Sequence, residues 1–600
     1  MKKKNKYGVM RILLLVSLAI VVFVSPVLSQ EPIPRNEIVW SSGYWERPGA
    51  WNPYWWGESF GTFFMYEPMF QFNFATDELE GQLGKEIVWV DEHTIKIWLK
   101  EDIYWTDGNP ITSEDVLYTY DVLGRFWRIG GFKKRVESME AKDNKVIVVK
   151  TKEEFPNSQV VWDALTSSWR IMPKHVWTEI EAEYPKWTPD FANDWQDPEM
   201  PEKWKVASGP YLPHYWTHDK EILIRNEDWW GIKYFGKPAP KYLGQLYFET
   251  NYGTNTAFEE GKIDWYSGYF PRIWELEKKP IGKYINTWMG MEPPYFLPAS
   301  SWVCLVFNHN IYPLNEPWLH RAIAFAINYE DISKVSTSGY LEKGNATFLY
   351  PEIKAHAKFI DEEVLETYDF SYDLEKAVEI LGEHCILHEG SWYTKDAPAE
   401  HRGTAIEDQL PDVEGRNVKL GPWGNIVVYG WTDSMMQNVL ISRDMGDINI
   451  KIEALSPEYG LYQDKFTTMD FEIMNFCMGP SGVSSPYEMF SSNFTGDPPG
   501  EWQNYAAYEN PELEALLDEL DITPAGTLRE KEIIGELQRI IARDLPMIPM
   551  WPNGYWYAYS EKYWTNWANK ENPYIFPVAC WETGNTGAMQ RLIWSLKAAE

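Results

Sequence analysis

Apolar and polar positions along this chain follow two periods that take turns. From His93 to Lys100 the run HTIKIWLK sets Ile95, Ile97 and Leu99 against Lys96 and Lys100, the period-two pattern of a half-buried strand. Thr112 and Ser113 then open an amphipathic helix through Glu114, Val116, Leu117 and Tyr120. Residues 145–150 alternate again as a strand, and Leu319 to Ile332 reads as one Ala-rich helix. Asp373 to Leu381 repeats the helical period with Ala377, Ile380 and Leu381 on one face. Asn510 is placed to cap a helix whose first residue is Pro511 and whose buried stripe is Leu513, Leu516, Leu517 and Leu520. Strands alternating with helices predict an α/β fold with mixed sheets. The Pro-, Asp- and Trp-rich stretch Pro185 to Pro201 reads as a surface segment at a domain junction.

The aromatic content changes that picture. The 600 residues include 33 Trp, 36 Tyr and 27 Phe, and some of the indoles fall in turn-like sequence. Trp51, Trp55 and Trp56 lie among Asn52, Pro53, Tyr54 and Gly57, where core packing is a poor explanation. A flat ring with one N–H donor suits a surface that stacks on a ligand and hydrogen-bonds to it, and sugar rings are the first candidate.

The amino end reads as an export signal. Lys2, Lys3, Lys4, Lys6 and Arg11 precede the uncharged run Ile12 to Leu28, and Val27 and Ser29 fit a cleavage site before Gln30. The formal charge is −33, and losing the five basic residues of the leader takes it to about −38. Such a field repels nucleic acid and anionic lipid, so no nucleic-acid partner is expected. Cys304, Cys385, Cys477 and Cys580 are too far apart for a zinc ribbon, and the sequence suggests no metal or cofactor. Export permits disulfides, and four cysteines allow three complete pairings.

Several segments, in order, resemble the family 5 extracellular solute-binding proteins, receptors of the peptide and nickel type that feed ABC importers. IVWVDEHTIKIWLKEDIYWTDGNPITSEDVLYTYDV (Ile87 to Val122) is similar to the family's strand, W-x-D-G-x-P turn and helix. In that motif Asp107 and Gly108 form the turn, Pro110 ends it and Thr112 or Ser113 caps the helix. ASGPYLP (Ala207 to Pro213), LIRNEDWWG (Leu223 to Gly231), FEEGKIDW (Phe258 to Trp265), LVFNHNIYPLNEPWLHRAIAFAINYEDI (Leu305 to Ile332), YENPELEALLDEL and IIARDLPMIPMW match further family segments. The resemblance implies a two-lobed periplasmic-binding-protein type II fold with a hinge and an extra domain inserted in the N-terminal lobe. Carried across, residues 1–29 are the signal peptide, and 30–66, 205–303 and 556–600 form the first lobe. Residues 67–204 are the inserted domain and 304–555 the second lobe. It also implies a receptor acting as a monomer with ABC permease subunits, on the periplasmic or extracellular face of the cytoplasmic membrane, and not an enzyme.

Peptide-binding members hold the ligand's ammonium with an aspartate in a G-W-x-x-D stretch. In MDFEIMNFCMGPSGVSSP (Met469 to Pro486), Phe476 stands at the Trp position and Gly479 at the Asp position, and no acid occurs between Glu472 and Glu488. A buried ammonium stripped of its anion costs about 2–5 kcal/mol, so this departure argues against peptides. Trp-rich relatives bind β-linked oligosaccharides, and a cello-, manno- or laminari-type oligosaccharide is the expected ligand, with an oligopeptide as the alternative. The expected contacts are Trp51, Asn52, Tyr54, Trp55 and Trp56 after the strand Glu37 to Trp40, Tyr269 after the KIDW strand, and Trp302 at the lobe crossing. Trp431 and Asp433 follow the strand Ile426 to Tyr429, Asn475 and Phe476 end the strand Phe471 to Met474, and Ser481 lies just beyond. By the same resemblance Cys304 and Cys477 form a disulfide near the cleft. Trp105, Trp229 and Trp230 are assigned to packing. A glycosidase is the main rival from another class. It needs two carboxylates about 5–10 Å apart, and no G-x-S-x-G, H-E-x-x-H or P-loop motif points to another enzyme.

Overall fold

A computed structural model describes residues 32–42, 60–125, 129–183, 205–298, 301–398, 417–478, 486–496, 504–580 and 585–600. The signal segment, the Trp51 to Trp56 loop, the 185–201 stretch and Ser481 lie outside the described residues.

Three larger sheets organise the chain from Arg35 onward. The first has seven strands in the order Ile285–Thr287, Tyr557–Ser560, Trp265–Ser267, Ile38–Ser42, Tyr242–Leu246, Lys220–Arg225 and Tyr211–Thr217. Ile38–Ser42 runs parallel to both of its neighbours, and the other pairs are antiparallel. The second has five strands in the order Ile452–Leu455, Trp423–Ile426, Ile473–Met478, Trp302–Phe307 and Met547–Pro552. Here Trp423–Ile426 is parallel to both neighbours. The third is an antiparallel sheet of Gly84–Asp91, Thr94–Leu99, Val146–Thr151 and Val136–Asp143.

Local sequence explains most elements. Thr94–Leu99 buries Ile95, Ile97 and Leu99 and leaves the alternate side chains half-exposed, as the pattern demands. Gly108 has φ +86°, and its turn is closed by the Trp105 N–H donating to the Asn109 carbonyl at 2.9 Å. The helix Ser113–Arg125 starts where the Asp115 carboxylate accepts the Thr112 N–H at 2.8 Å. Asn510 caps Pro511–Asp521 by accepting the Glu512 and Leu513 N–H groups.

Two expectations change. The continuous helix from Leu319 to Ile332 is two helices, Pro317–Ala326 and Tyr329–Ser336. Ile327 is extended (ψ 123°), and the Asn328 side chain caps the second helix by accepting the Asp331 N–H at 3.1 Å. Ala-rich periodicity carries no sign of such a break, but an Asn followed three residues later by Asp does. The disulfide between Cys304 and Cys477 is not formed, and all four cysteines are free. In the antiparallel register Val303 faces Cys477 and Cys304 faces Phe476. Successive side chains on a strand point to opposite faces, so the two thiols lie on opposite sides of the sheet.

The chain passes from the seven-stranded to the five-stranded sheet between Thr287 and Trp302, and returns between Pro552 and Tyr557. These crossings lie side by side. The Asn553 N–H donates to the Ser301 carbonyl and the Tyr555 N–H to the Leu297 carbonyl, each at 2.7 Å. One apolar cluster, including Phe258, Tyr266, Ile273, Leu305, Ile323 and Ile441, continues from one sheet system into the other.

Candidate functional site

Ligands of open α/β sheets bind beyond the carboxyl ends of parallel strands. In the seven-stranded sheet those ends are Ser42, Leu246 and Ser267, and in the five-stranded sheet Ile426 and Met478. The loops that follow meet. Asn251 donates its side-chain N–H to the Thr432 hydroxyl at 3.4 Å, and a Cβ on Gly430 would stand 3.1 Å from the Glu249 carbonyl oxygen. The Tyr269 and Ser338 hydroxyls are 2.8 Å apart.

At this junction Asp433 is half-buried in the first turn of the helix Thr432–Asp447, and among the described residues it has no cationic partner. Burial pushes its carboxyl up to about 6 against the pull of the Asp433 and Ser434 backbone N–H groups. Its charge reaches Tyr266, Tyr269 and Cys477, and the Cys477 thiol is pushed up to about 12, first by burial and then by Asp433. Asn251 is buried with its side-chain oxygen unpartnered, and Ser42 and Gln245 are buried with their side-chain polar atoms unpartnered. Buried polar groups without partners are costly; the Asn251 oxygen fits a hydroxyl or N–H donor, and the Gln245 amide fits a group that both donates and accepts.

The expected contacts divide. Tyr269, Trp431 and Asp433 stand at this junction, Tyr269 in edge contact with Trp556 at 5.4 Å. Trp302 does not. It is fully buried, stacked on Tyr350 at 4.9 Å, with its indole N–H given to the Phe348 carbonyl at 2.8 Å. Asn475 is also turned inward, donating to Gln437 and Asn438, each at 3.0 Å. Phe476 stacks against Phe466 at 5.3 Å and leans on Tyr505 at 4.9 Å. The reason is strand length. The sequence reading ends the strand at Met474, whereas it runs Ile473–Met478 and places Asn475 and Phe476 mid-strand.

Sequence reasoning missed a cavity of about 350 Å³ lined by Gln71, Phe72, Asn73, Phe74, Phe576 and Trp594, among others. Asn73 donates to Glu80 at 2.8 Å and to the Tyr574 carbonyl at 2.9 Å, and Arg591 pairs with Glu80 at the wall. Phe576 leans edge-on against Tyr555 at 4.9 Å, so the cavity lies beside the return crossing. A signal was available in the run Phe70 to Phe74, FQFNF, which alternates rings with amides.

Such a fold, with two sheet systems joined by paired crossings and with their strand-end loops in contact, is that of the periplasmic-binding-protein type II class. A mannohexaose-bound structure of a periplasmic oligopeptide-binding protein from Thermotoga maritima superposes with TM-score 0.80 at 27% identity, covering 94% of this chain and 99% of that one. The Bacillus subtilis AppA in complex with a nonapeptide superposes with TM-score 0.70 at 16% identity, covering 94% and 99%. Among curated proteins, the oligopeptide-binding protein OppA of Bacillus subtilis is 20% identical over 84% of each chain. The peptidoglycan-binding protein YepA of Agrobacterium fabrum is 21% identical over 88% of this chain and 84% of its own. The family model of bacterial extracellular solute-binding proteins, family 5, matches residues 78–501, and the chain belongs to that family. It is the substrate-binding receptor of an ABC transporter, an extracytoplasmic protein that works with permease subunits and takes a small-molecule ligand.

Proposed function

We propose that this receptor captures a β-linked oligosaccharide between two lobes and delivers it to the permease. The first lobe comprises 30–66, 205–303 and 556–600, and the second comprises 304–555. The observation that carries the reading is the likeness, over nearly the whole chain, to a protein whose structure holds mannohexaose. The junction chemistry supports it. The Asp433 carboxylate, which has no cationic partner among the described residues, and the unpartnered Asn251 oxygen suit a hydroxyl rim, and rings at Tyr269 and Trp431 suit pyranose faces. Trp51, Asn52, Tyr54, Trp55, Trp56 and Ser481 complete the proposed contact set. The receptor acts as a monomer, exported by a leader cleaved after Ser29.

An oligopeptide is the second reading. The curated relatives are mostly described as peptide-binding proteins, and Asp433 is a carboxylate without a cation that an ammonium would satisfy. A thermal-shift panel of cello-, manno-, laminari- and xylo-oligosaccharides against di- to pentapeptides separates the two. A ligand at about 100 times its Kd adds about 2.7 kcal/mol of stability. Shifts with sugars support the proposal, and shifts with peptides alone overturn it.

A further inference from the structure

Asp521 is the last residue of the helix Pro511–Asp521, and its side chain is 1% exposed. Its partners all come from residues 130–160. One carboxylate oxygen accepts the Arg135 Nε, whose guanidinium lies over the Phe155 ring at 5.1 Å. The other accepts the Ser158 hydroxyl at 2.8 Å and the Val160 N–H at 3.1 Å. Ser158 in turn accepts the Val161 N–H at 3.3 Å and caps the helix Gln159–Thr166. Asp521 therefore completes the amino end of a helix 361 residues away in sequence. A carboxylate is the residue type that such an end favours.

We propose that this cluster is a closure latch, by which the inserted domain holds the second lobe shut. The proposal rests on the two-lobed reading above. When the lobes part, Asp521 leaves Arg135 and the helix end together, and a buried carboxylate, a guanidinium and a backbone N–H must all find water. None of these groups belongs to the proposed ligand contacts, so the latch sets how often the empty receptor is closed. Apparent affinity scales with the fraction of molecules in the binding-competent state, so the latch tunes affinity from outside the site. It also gives the inserted domain a task that the ligand contacts do not require.

The test compares the mature full chain with Asp521→Asn, Arg135→Gln and the double variant. Small-angle X-ray scattering without ligand reads closure, and calorimetry with mannohexaose reads affinity. Each single variant is expected to enlarge the ligand-free radius of gyration and to weaken mannohexaose about tenfold, the scale of a lost charge-assisted hydrogen bond. The double variant is expected to be no weaker than the worse single variant, because the groups act as one unit. Unchanged scattering together with affinity within about twofold, a difference below 0.5 kcal/mol, overturns the latch. If Asp521→Asn does not fold, Arg135→Gln carries the same readouts. If mannohexaose fails to bind even the unmodified protein, the sugar reading falls and ligand-free scattering alone decides the latch. An opened variant then supports it, and an unopened one overturns it.

Discussion

Glu67, which is fully buried, accepts the indole N–H of Trp230 at 2.7 Å and that of the adjacent Trp229 at 3.2 Å. Burial raises the Glu67 carboxyl to about 8, opposed by the two indoles, Gln82 and Lys100. The folded value lies above the ordinary value of 4.5, so the protonated acid is the form that the fold favours. Its contribution is complete below pH 4.5 and is lost as pH rises through 8, at up to about 1.4 kcal/mol per pH unit. Unfolding by denaturant across pH 5 to 8 is expected to show this slope in the wild type and a flatter line in Glu67→Gln, which keeps an acceptor for the indoles.

Trp302 and Trp431 should respond differently to truncation. Trp302→Ala empties a buried site and breaks the bond to the Phe348 carbonyl, so it should cost about 3–5 kcal/mol of stability. Trp431→Ala, at the half-exposed start of the junction helix, should leave the melting temperature nearly unchanged and weaken ligand binding. Calorimetry and thermal melting of both variants check the pair.

The register that places Cys304 opposite Phe476 keeps it apart from Cys477, and all four thiols are free. Thiol titration in denaturant without reductant should count all four, and reductant should not shift the melting temperature. A count of two would show that two of the four thiols are paired, contrary to this structure.

Asp433 gives a pH-dependent prediction for binding. Its carboxyl, raised by burial from 3.8 to about 6, becomes a pure acceptor only as pH passes 6. Oligosaccharide affinity should therefore rise between pH 5 and 7. Over the window from 3.8 to about 6 the same group should reduce ligand-free stability, because the fold favours its protonated form. Asp433→Asn should flatten the binding profile and weaken affinity about tenfold or more at pH 7, the scale of a lost charged hydrogen bond. A wild-type profile flat across that window would remove Asp433 from the site.

Short-range patterns in the sequence carried much of this structure. The Asp107–Gly108 turn, the Asn510 cap and the alternation through Ile95, Ile97 and Leu99 depend on neighbours within a few residues, and all three read correctly. Trp105, Trp229 and Trp230 were rightly assigned to packing. What failed depended on partners distant in sequence. The length of Ile473–Met478 is set by pairing to Trp302–Phe307, and that pairing turned Asn475, Phe476 and Trp302 inward. The thiol geometry follows from the same register. The cavity beside Phe576 needs strand Phe70–Asn73 and the carboxyl-terminal helix brought together, a contact that no local period announces.

The side-by-side crossings at Ser301 and Asn553 have a mechanical consequence. Two links tied at one place let the bodies they join swing about an axis through that place, and they resist sliding or pulling apart. In the proposed two-lobed receptor, ligand occupancy would then reduce to a single coordinate, an angle. A permease that gauges that angle can tell a loaded receptor from an empty one without touching the cargo.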